Sequence, residues 1–310
     1  MVKSTVEAGR ERDRVTIRFA GDSGDGMQLA GNRFTDATAV FGNDFSTLPD
    51  FPAEIRAPAG SLAGVSSFQI SFAARAIHTP GDAPDVLVAM NPAALKVHLA
   101  ELIRGGVLIL NTDAFTSANL KKAGYTSNPL DNGSLNDFRV IDVPITQLAT
   151  TAASGAGVSP QEAERTKNLF ALGIVYWLYD RDLSPSIAWI KDKFAKRSDI
   201  VEANTAALKA GHAYGETAEL GDAHISVAPA HLTPGTYRTI TGNEATAIGL
   251  IFGLNGALGA LSPFIGFLII KSFGSYEPVF YYSGILALVS AALMIAIPFR
   301  GQAAARAGEG

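Results

Sequence analysis

At 310 residues the chain is long enough for one large or two medium domains with a substantial core. Its 25 basic and 29 acidic residues give a net charge of -4 with no Lys/Arg stripe, which argues against a nucleic-acid partner. Without cysteine it can hold no disulfide, no thiolate zinc site and no cysteine-ligated iron–sulfur cluster.

Residues 1–14, MVKSTVEAGRERDR, are charged throughout and lack the apolar stretch of a secretory signal, so they read as a mobile lead-in that starts in the cytosol. VTIRFA (15–20) then reads as a short strand, followed by the glycine loop GDSGDG (21–26) and by MQLAGNRFTDATAVF, which suits a helix. The next passage, STLPDFPAEIRAPAGSLAGVSS, is too broken by Pro and Gly for a regular element and too long for a connector, which marks a candidate functional loop. FQISFA restores a strand.

VLVAM (86–90) has the length and apolarity of a buried strand, and Asn91-Pro92 supply an N-cap and a first-turn proline for a helix running to about Arg104. VLIL (107–110) is a further buried strand. Strand, helix and strand at this spacing form a βαβ crossover, so the expected fold is α/β, a largely parallel sheet with packed helices, which FRVIDVPI (138–145) joins. Ser159, Pro160 and Glu162 make a capping-box start to a helix carrying Leu169, Phe170, Ile174, Trp177 and Leu178; Ser184-Pro185 and Ser198 open two more. SVAPAHLTPGTYRTITGN (226–243) has the composition of a linker.

Charge then nearly stops. Residues 246–270 carry none over 25 positions, about 37 Å of helix, and residues 279–298 form a second uncharged stretch of 20, about 30 Å. With KSFGSYEP (271–278) as a polar turn, this pattern predicts a two-helix transmembrane hairpin over 246–300 and a tail over 301–310. Arg300 and Arg306 follow the second stretch while Glu277 offsets Lys271, which places both termini inside and tethers a cytoplasmic domain to the inner membrane.

GDSGDG raises the question of a nucleophilic serine. Ser23 lies on a strand–turn–helix, but the fifth position of Gly-x-Ser-x-Gly is Asp25 rather than Gly, and the chain offers only Asp222-Ala223-His224 where a GDS-type lipase needs Asp-x-x-His. The glycines could cradle a phosphate, yet Gly24-x-Gly26 lacks the third glycine of a dinucleotide fingerprint, and Asp22 and Asp25 repel a diphosphate. A tight turn with Asp25 beside a helix N-terminus is the plainest reading. His78, His98, His212, His224 and His231 show no metal-ligand spacing.

The ordered segments VTIRFAGDSGDGMQLAGNRF, FGNDFSTLPDFPAEIRAPAGSLAGVSSFQISF, TPGDAPDVLVAMNPAALK and RTKNLFALG, within about residues 15–250, resemble the N-terminal part of the alpha subunit of 2-oxoacid:ferredoxin oxidoreductases, above all the 2-oxoglutarate branch. That resemblance implies a gamma domain over 15–225, followed over 226–245 by a linker and the start of a truncated pyrimidine-type domain. It implies a beta subunit as partner, ferredoxin through the complex, and a complex using thiamine diphosphate, coenzyme A and an iron–sulfur cluster held elsewhere, with none bound by this chain alone. The family-like site pieces are Gly21, Gly24 and Gly26, Glu54 and Arg56, and Lys167 and Asn168, expected to border the coenzyme A site.

The pattern departs from the family near Leu250. The Tyr-Pro-Ile-Thr-Pro segment expected after GTYRTITGNEATAIGL does not appear, and the tail from Gly253 onward resembles the last two membrane helices of a major facilitator transporter. Three readings follow: a gamma-domain portion of the oxidoreductase, inactive alone; a membrane-anchored interaction module or transporter fragment, which adds the lipid bilayer as a partner; and a Ser23 hydrolase.

Overall fold

The computed structural model describes residues 10–51, 64–218, 220–233, 235 and 240–296. The chain divides into two units, Met1–Thr233 and Pro234–Gly310.

The first unit is built on a six-stranded sheet of β2 (Arg14–Asp22), β3 (Asp44–Asp50), β4 (Val65–Ala73), β5 (Val86–Ala89), β6 (Val107–Asn111) and β7 (Arg139–Val143), in the order β3-β4-β2-β5-β6-β7. The β2, β5, β6 and β7 ladders are parallel, as the crossover pattern predicts, whereas β4 runs antiparallel to both β2 and β3. A small parallel pair joins β1 (Arg10–Glu11) to β8 (Ile225–Ser226).

Residue alternation along β2 sets the two faces. Val15, Ile17 and Phe19 enter the main core under helix α1 (Met27–Phe41), while Ala20 joins a second cluster with Leu87, Leu95 and Leu108 on the far side. Phe34 of α1 centres an aromatic group, with Phe72 and Tyr176 at ring-centroid distances of 5.4 and 6.0 Å.

Three expectations need correction. The Pro-rich passage is not wholly irregular, since its first residues lie in β3; Pro49 is tolerated there because β3 is the sheet edge, where a missing N–H breaks no ladder. The helix after Asn91 is short, α2 (Pro92–His98), and tightens into a 3-10 turn at Leu99–Glu101. The Ser159 capping box forms, with Ser159 Oγ accepting from Glu162 N at 3.3 Å, but it caps only α5 (Pro160–Glu164); the apolar run belongs to a separate helix, α6 (Lys167–Leu178).

A further crossover, from β6 to β7, carries α3 (Ser117–Lys122), and α4 (Ile145–Ala153) follows β7. Next come α7 (Ser184–Lys193) and α8 (Ser198–Thr217). Almost all of α6 is buried, and α8 lies against it backbone to backbone at Gly173 and Gly211. Arg181, nearly fully buried, stacks 3.9 Å over Phe41 and donates to Asn43 Oδ1 at 2.6 Å; burial lowers its pKa to about 10. Asn43 in turn donates to the carbonyl of Ala228 at 2.7 Å, which ties the segment after β8 to the end of α1.

In the second unit, Thr241 and Glu244 form a capping box for α9 (Gly242–Phe273), Gly274 ends it in the left-handed region, and α10 (Glu277–Ala296) returns along it. Over the described residues no helix is long and apolar enough to cross a membrane, so the expected transmembrane hairpin at 246–300 is replaced by a helical hairpin, and the bilayer and inner-membrane assignments lose their support. The two uncharged stretches form α9 and α10 over the described residues.

Candidate functional site

The glycine loop joins β2 to α1. Asp25 N donates to the carbonyl of Asp22 at 2.9 Å, and Asp22 N donates back to Asp25 Oδ2 at 2.9 Å, closing a tight turn. Gly26 then adopts φ 74°, and a Cβ there would lie 2.2 Å from Asn168 Nδ2. Glycine is therefore required on two counts, backbone conformation and the seat of Asn168. Gly21 packs its α-carbon against the Asp25 side chain, whereas among the described residues nothing lies within 4 Å of a Cβ placed on Gly24.

Lys167 opens α6 beside this turn and pairs with Asp25 Oδ1 at 2.9 Å and, more loosely, with Glu164 at 3.7 Å. Burial pulls the Lys167 pKa down, but Asp25, Glu164 and Asp22 outweigh it and leave it raised. Asn91, after β5, caps α2 through Oδ1 and donates from Nδ2 to Asp22 Oδ1 at 2.9 Å and Asp25 Oδ2 at 3.3 Å. Burial, then the Asp25 charge, raises the Asp22 pKa against the pull of Asn91 and Lys167. The loop is thus a prebuilt turn whose two carboxylates are held from two other elements, by the Lys167 ammonium and the Asn91 amide, at the C-terminal edge of the parallel strands.

Gly21, Gly26, Lys167 and Asn168 are brought together here, and Gly24 belongs to the same turn without a close neighbour among the described residues. Glu54 and Arg56, with the rest of PAEIRAPAG, lie outside the described residues. Ser23 is exposed, and among the described residues no histidine bonds to it. His224 instead pairs with Asp180 at 2.9 Å and packs edge-on to Trp177, so it supplies no base to Ser23. The described residues contain no group of three side chains able to hold a metal ion.

Sequence reasoning missed two features. The capping role of Asn91 is legible, but its bridge to Asp22 and Asp25 depends on the β2–β5 pairing. Arg18 is the other: a charge inside an apolar strand signals a buried partner set. The structure supplies it as Gln69, His98 and Glu101.

Comparison with known proteins matches these features to one family. A family model described as pyruvate ferredoxin/flavodoxin oxidoreductase matches residues 16–214. The 2-oxoglutarate oxidoreductase subunit KorA of Mycobacterium tuberculosis is 53% identical over 254 residues, which is 82% of this chain and 39% of KorA. Among solved structures, the 2-oxoglutarate:ferredoxin oxidoreductase from Magnetococcus marinus, with 2-oxoglutarate, coenzyme A and succinyl-CoA bound, shares the fold at a TM-score of 0.55 and 22% identity, over 71% of this chain and 34% of that one. A keto/oxoacid ferredoxin oxidoreductase gamma subunit from Geobacter sulfurreducens aligns at a TM-score of 0.43 and 21% identity, over 64% of this chain and 99% of its own. This chain spans 39% of the length of its curated relative, and the likeness of its tail to transporter helices finds no support. Because the family model covers well over half of its residues, the chain belongs to the pyruvate ferredoxin/flavodoxin oxidoreductase family.

Proposed function

We propose that this chain is the gamma-domain portion, over residues 15–225, of the alpha subunit of a 2-oxoglutarate:ferredoxin oxidoreductase. On this reading it contributes to assembly with a beta subunit, borders the coenzyme A site, and does not turn over alone. The observation that carries the reading is the 53% identity to KorA across 82% of the chain. Electrons from oxidative decarboxylation of the 2-oxoacid would leave through an iron–sulfur cluster to ferredoxin; with no cysteine here, another part of the complex supplies the cluster ligands. Thiamine diphosphate, which supplies the carbanion chemistry, is likewise assigned to the rest of the complex.

Recombinant chain assayed anaerobically for coenzyme A-dependent oxidation of 2-oxoglutarate with ferredoxin as acceptor is expected to show no turnover by itself and to copurify with the beta subunit. Robust turnover without that subunit would overturn the proposal.

For coenzyme A, the glycine loop suits one anionic group better than a diphosphate, because Asp22 and Asp25 stand beside the Lys167 ammonium. Lys167 would take that group while keeping its contact with Asp25, and Gly21, Gly24, Gly26 and Asn168 would shape the turn. In the assembled complex Lys167→Ala is expected to weaken coenzyme A binding about tenfold by calorimetry, the loss of one charge-assisted contact. Unchanged affinity would remove Lys167 from the site.

A further inference from the structure

Charge in α9 is confined to its ends, Glu244 in the first turn and Lys271 in the last. Between them large apolar side chains stand in water: Leu250, Leu254, Leu261, Phe264 and Leu268 are 68, 67, 51, 61 and 45% exposed. Their spacing is regular. Read with Ala247 and Ala257, they follow one another at steps of three, four, three, four, three and four residues. This is the a/d pattern of a heptad repeat, with Leu254, Leu261 and Leu268 at a and Leu250 and Phe264 at d, sustained over about 33 Å of helix. Ile251 at e and Phe267 at g, 42 and 60% exposed, widen the stripe to the face of a helix in a bundle.

The hairpin does not cover this seam. α10 meets α9 at Gly266, where a Cβ would lie 3.8 Å from Val279 Cγ1. At 100° per residue, Leu261, Phe264 and Leu268 project about 140–160° away from Gly266. Pro263, inside α9, falls at a c position and so lies outside the a/d set. Lipid would cover apolar surface without regard to spacing, whereas a heptad seam fits a second helix of the same spacing, and another copy of α9 supplies one.

Charge sets the direction of such a pair. Lys271 occupies the d position after Leu268, so parallel helices would bring two ammonium groups face to face. In an antiparallel pair centred on residue 259, Lys271 instead lies opposite Ala247 and one turn from Glu244 of the other copy, whose carboxylate also caps α9 at Thr241. The same register sets Leu250 opposite Leu268, Leu254 opposite Phe264 and the small Ala257 opposite Leu261, so that layers of unequal side chains complement one another.

We propose that α9 pairs antiparallel with α9 of a second copy of this chain through the seam from Leu250 to Leu268, joining two hairpins into a dimer. The inference concerns the second unit alone and does not depend on the oxidoreductase reading.

The test uses the full chain in detergent-free buffer. Sedimentation is expected to show a concentration-dependent dimer of twice the 32.5 kDa chain mass. Leu254→Glu should raise the dimer Kd at least about tenfold by placing an unpaired charge in the seam. Phe252→Glu, at an outer f position that is 72% exposed, should leave the dimer unchanged. Because the chain has no cysteine, introduced cysteines report the pairing. Leu254→Cys mixed with Phe264→Cys should form an intermolecular disulfide, while neither alone should, since the two copies of residue 254 stand about 15 Å apart along the antiparallel pair. That readout decides alone if Leu254→Glu loses its helix content by circular dichroism. A monomer, assembly equally sensitive to Leu254→Glu and Phe252→Glu, self-linking of either cysteine variant, or flotation with phosphatidylcholine vesicles in place of dimerisation would overturn the proposal.

Discussion

Gly211→Ala is expected to destabilise the first unit by about 3 kcal/mol or more in denaturant melts, the upper range for overpacking a close-packed contact. A Cβ on Gly211 would lie 2.0 Å from the carbonyl oxygen of Phe170, and one on Gly173 would lie 2.2 Å from that of Leu208. Both obstacles are backbone, so no rotamer change relieves them, and α6 and α8 would have to separate along a buried seam. Alanine's better helix propensity returns only about 0.5–1 kcal/mol. The separation would also reach the glycine loop, because α6 begins with Lys167 and Asn168, which hold Asp25 and seat against Gly26. Gly249→Ala in α9 is the control: among the described residues nothing lies within 4 Å of its Cβ position, so it should be neutral or slightly stabilising. Equal stability for Gly211→Ala and Gly249→Ala would refute the close approach of α6 and α8.

The same contrast shows what could be read from sequence. Apolar runs with a capping Asn and a first-turn Pro define β5, α2 and β6, because buried strands and helix starts are local signals. The edge strand β3 could not be read this way. Its ladder to β4 is long-range, and a proline that would break a central strand is harmless at an edge. In the glycine loop the turn itself is local, whereas the Lys167 partner of Asp25 lies over a hundred residues away and emerges only once α6 packs against α1. The family resemblance singled out Lys167 without giving its partner. The hairpin tail is the opposite case: absence of charge is a strong local pattern that coincides with two helices, yet over the described residues no helix is long and apolar enough to cross a membrane.

Gln69→Leu should cost about 3–5 kcal/mol, the range for stripping partners from a buried charge. Gln69 is 2% exposed and works in both directions. Its Oε1 accepts two bonds from Arg18, and its Nε2 donates to the carbonyls of Pro80 and Gly81 at 2.9 and 2.7 Å. Leucine fills similar volume, so packing alone predicts little change; the loss comes from Arg18 Nε and Nη2 left without an acceptor in a site water barely reaches. Glu101 cannot compensate, because its half-exposed carboxylate holds only the Nη1 end of the guanidinium. Adding Arg18→Met should then recover part of the loss, since the stranded charge is gone, while the two loop carbonyls and the Arg18 partners His98 and Glu101 are left short of a donor. The double variant is expected to be more stable than the sum of the single changes predicts by about 2 kcal/mol. A Gln69→Leu variant within about 0.5 kcal/mol of the parent, or strict additivity, would mean that Arg18 draws its compensation from elsewhere.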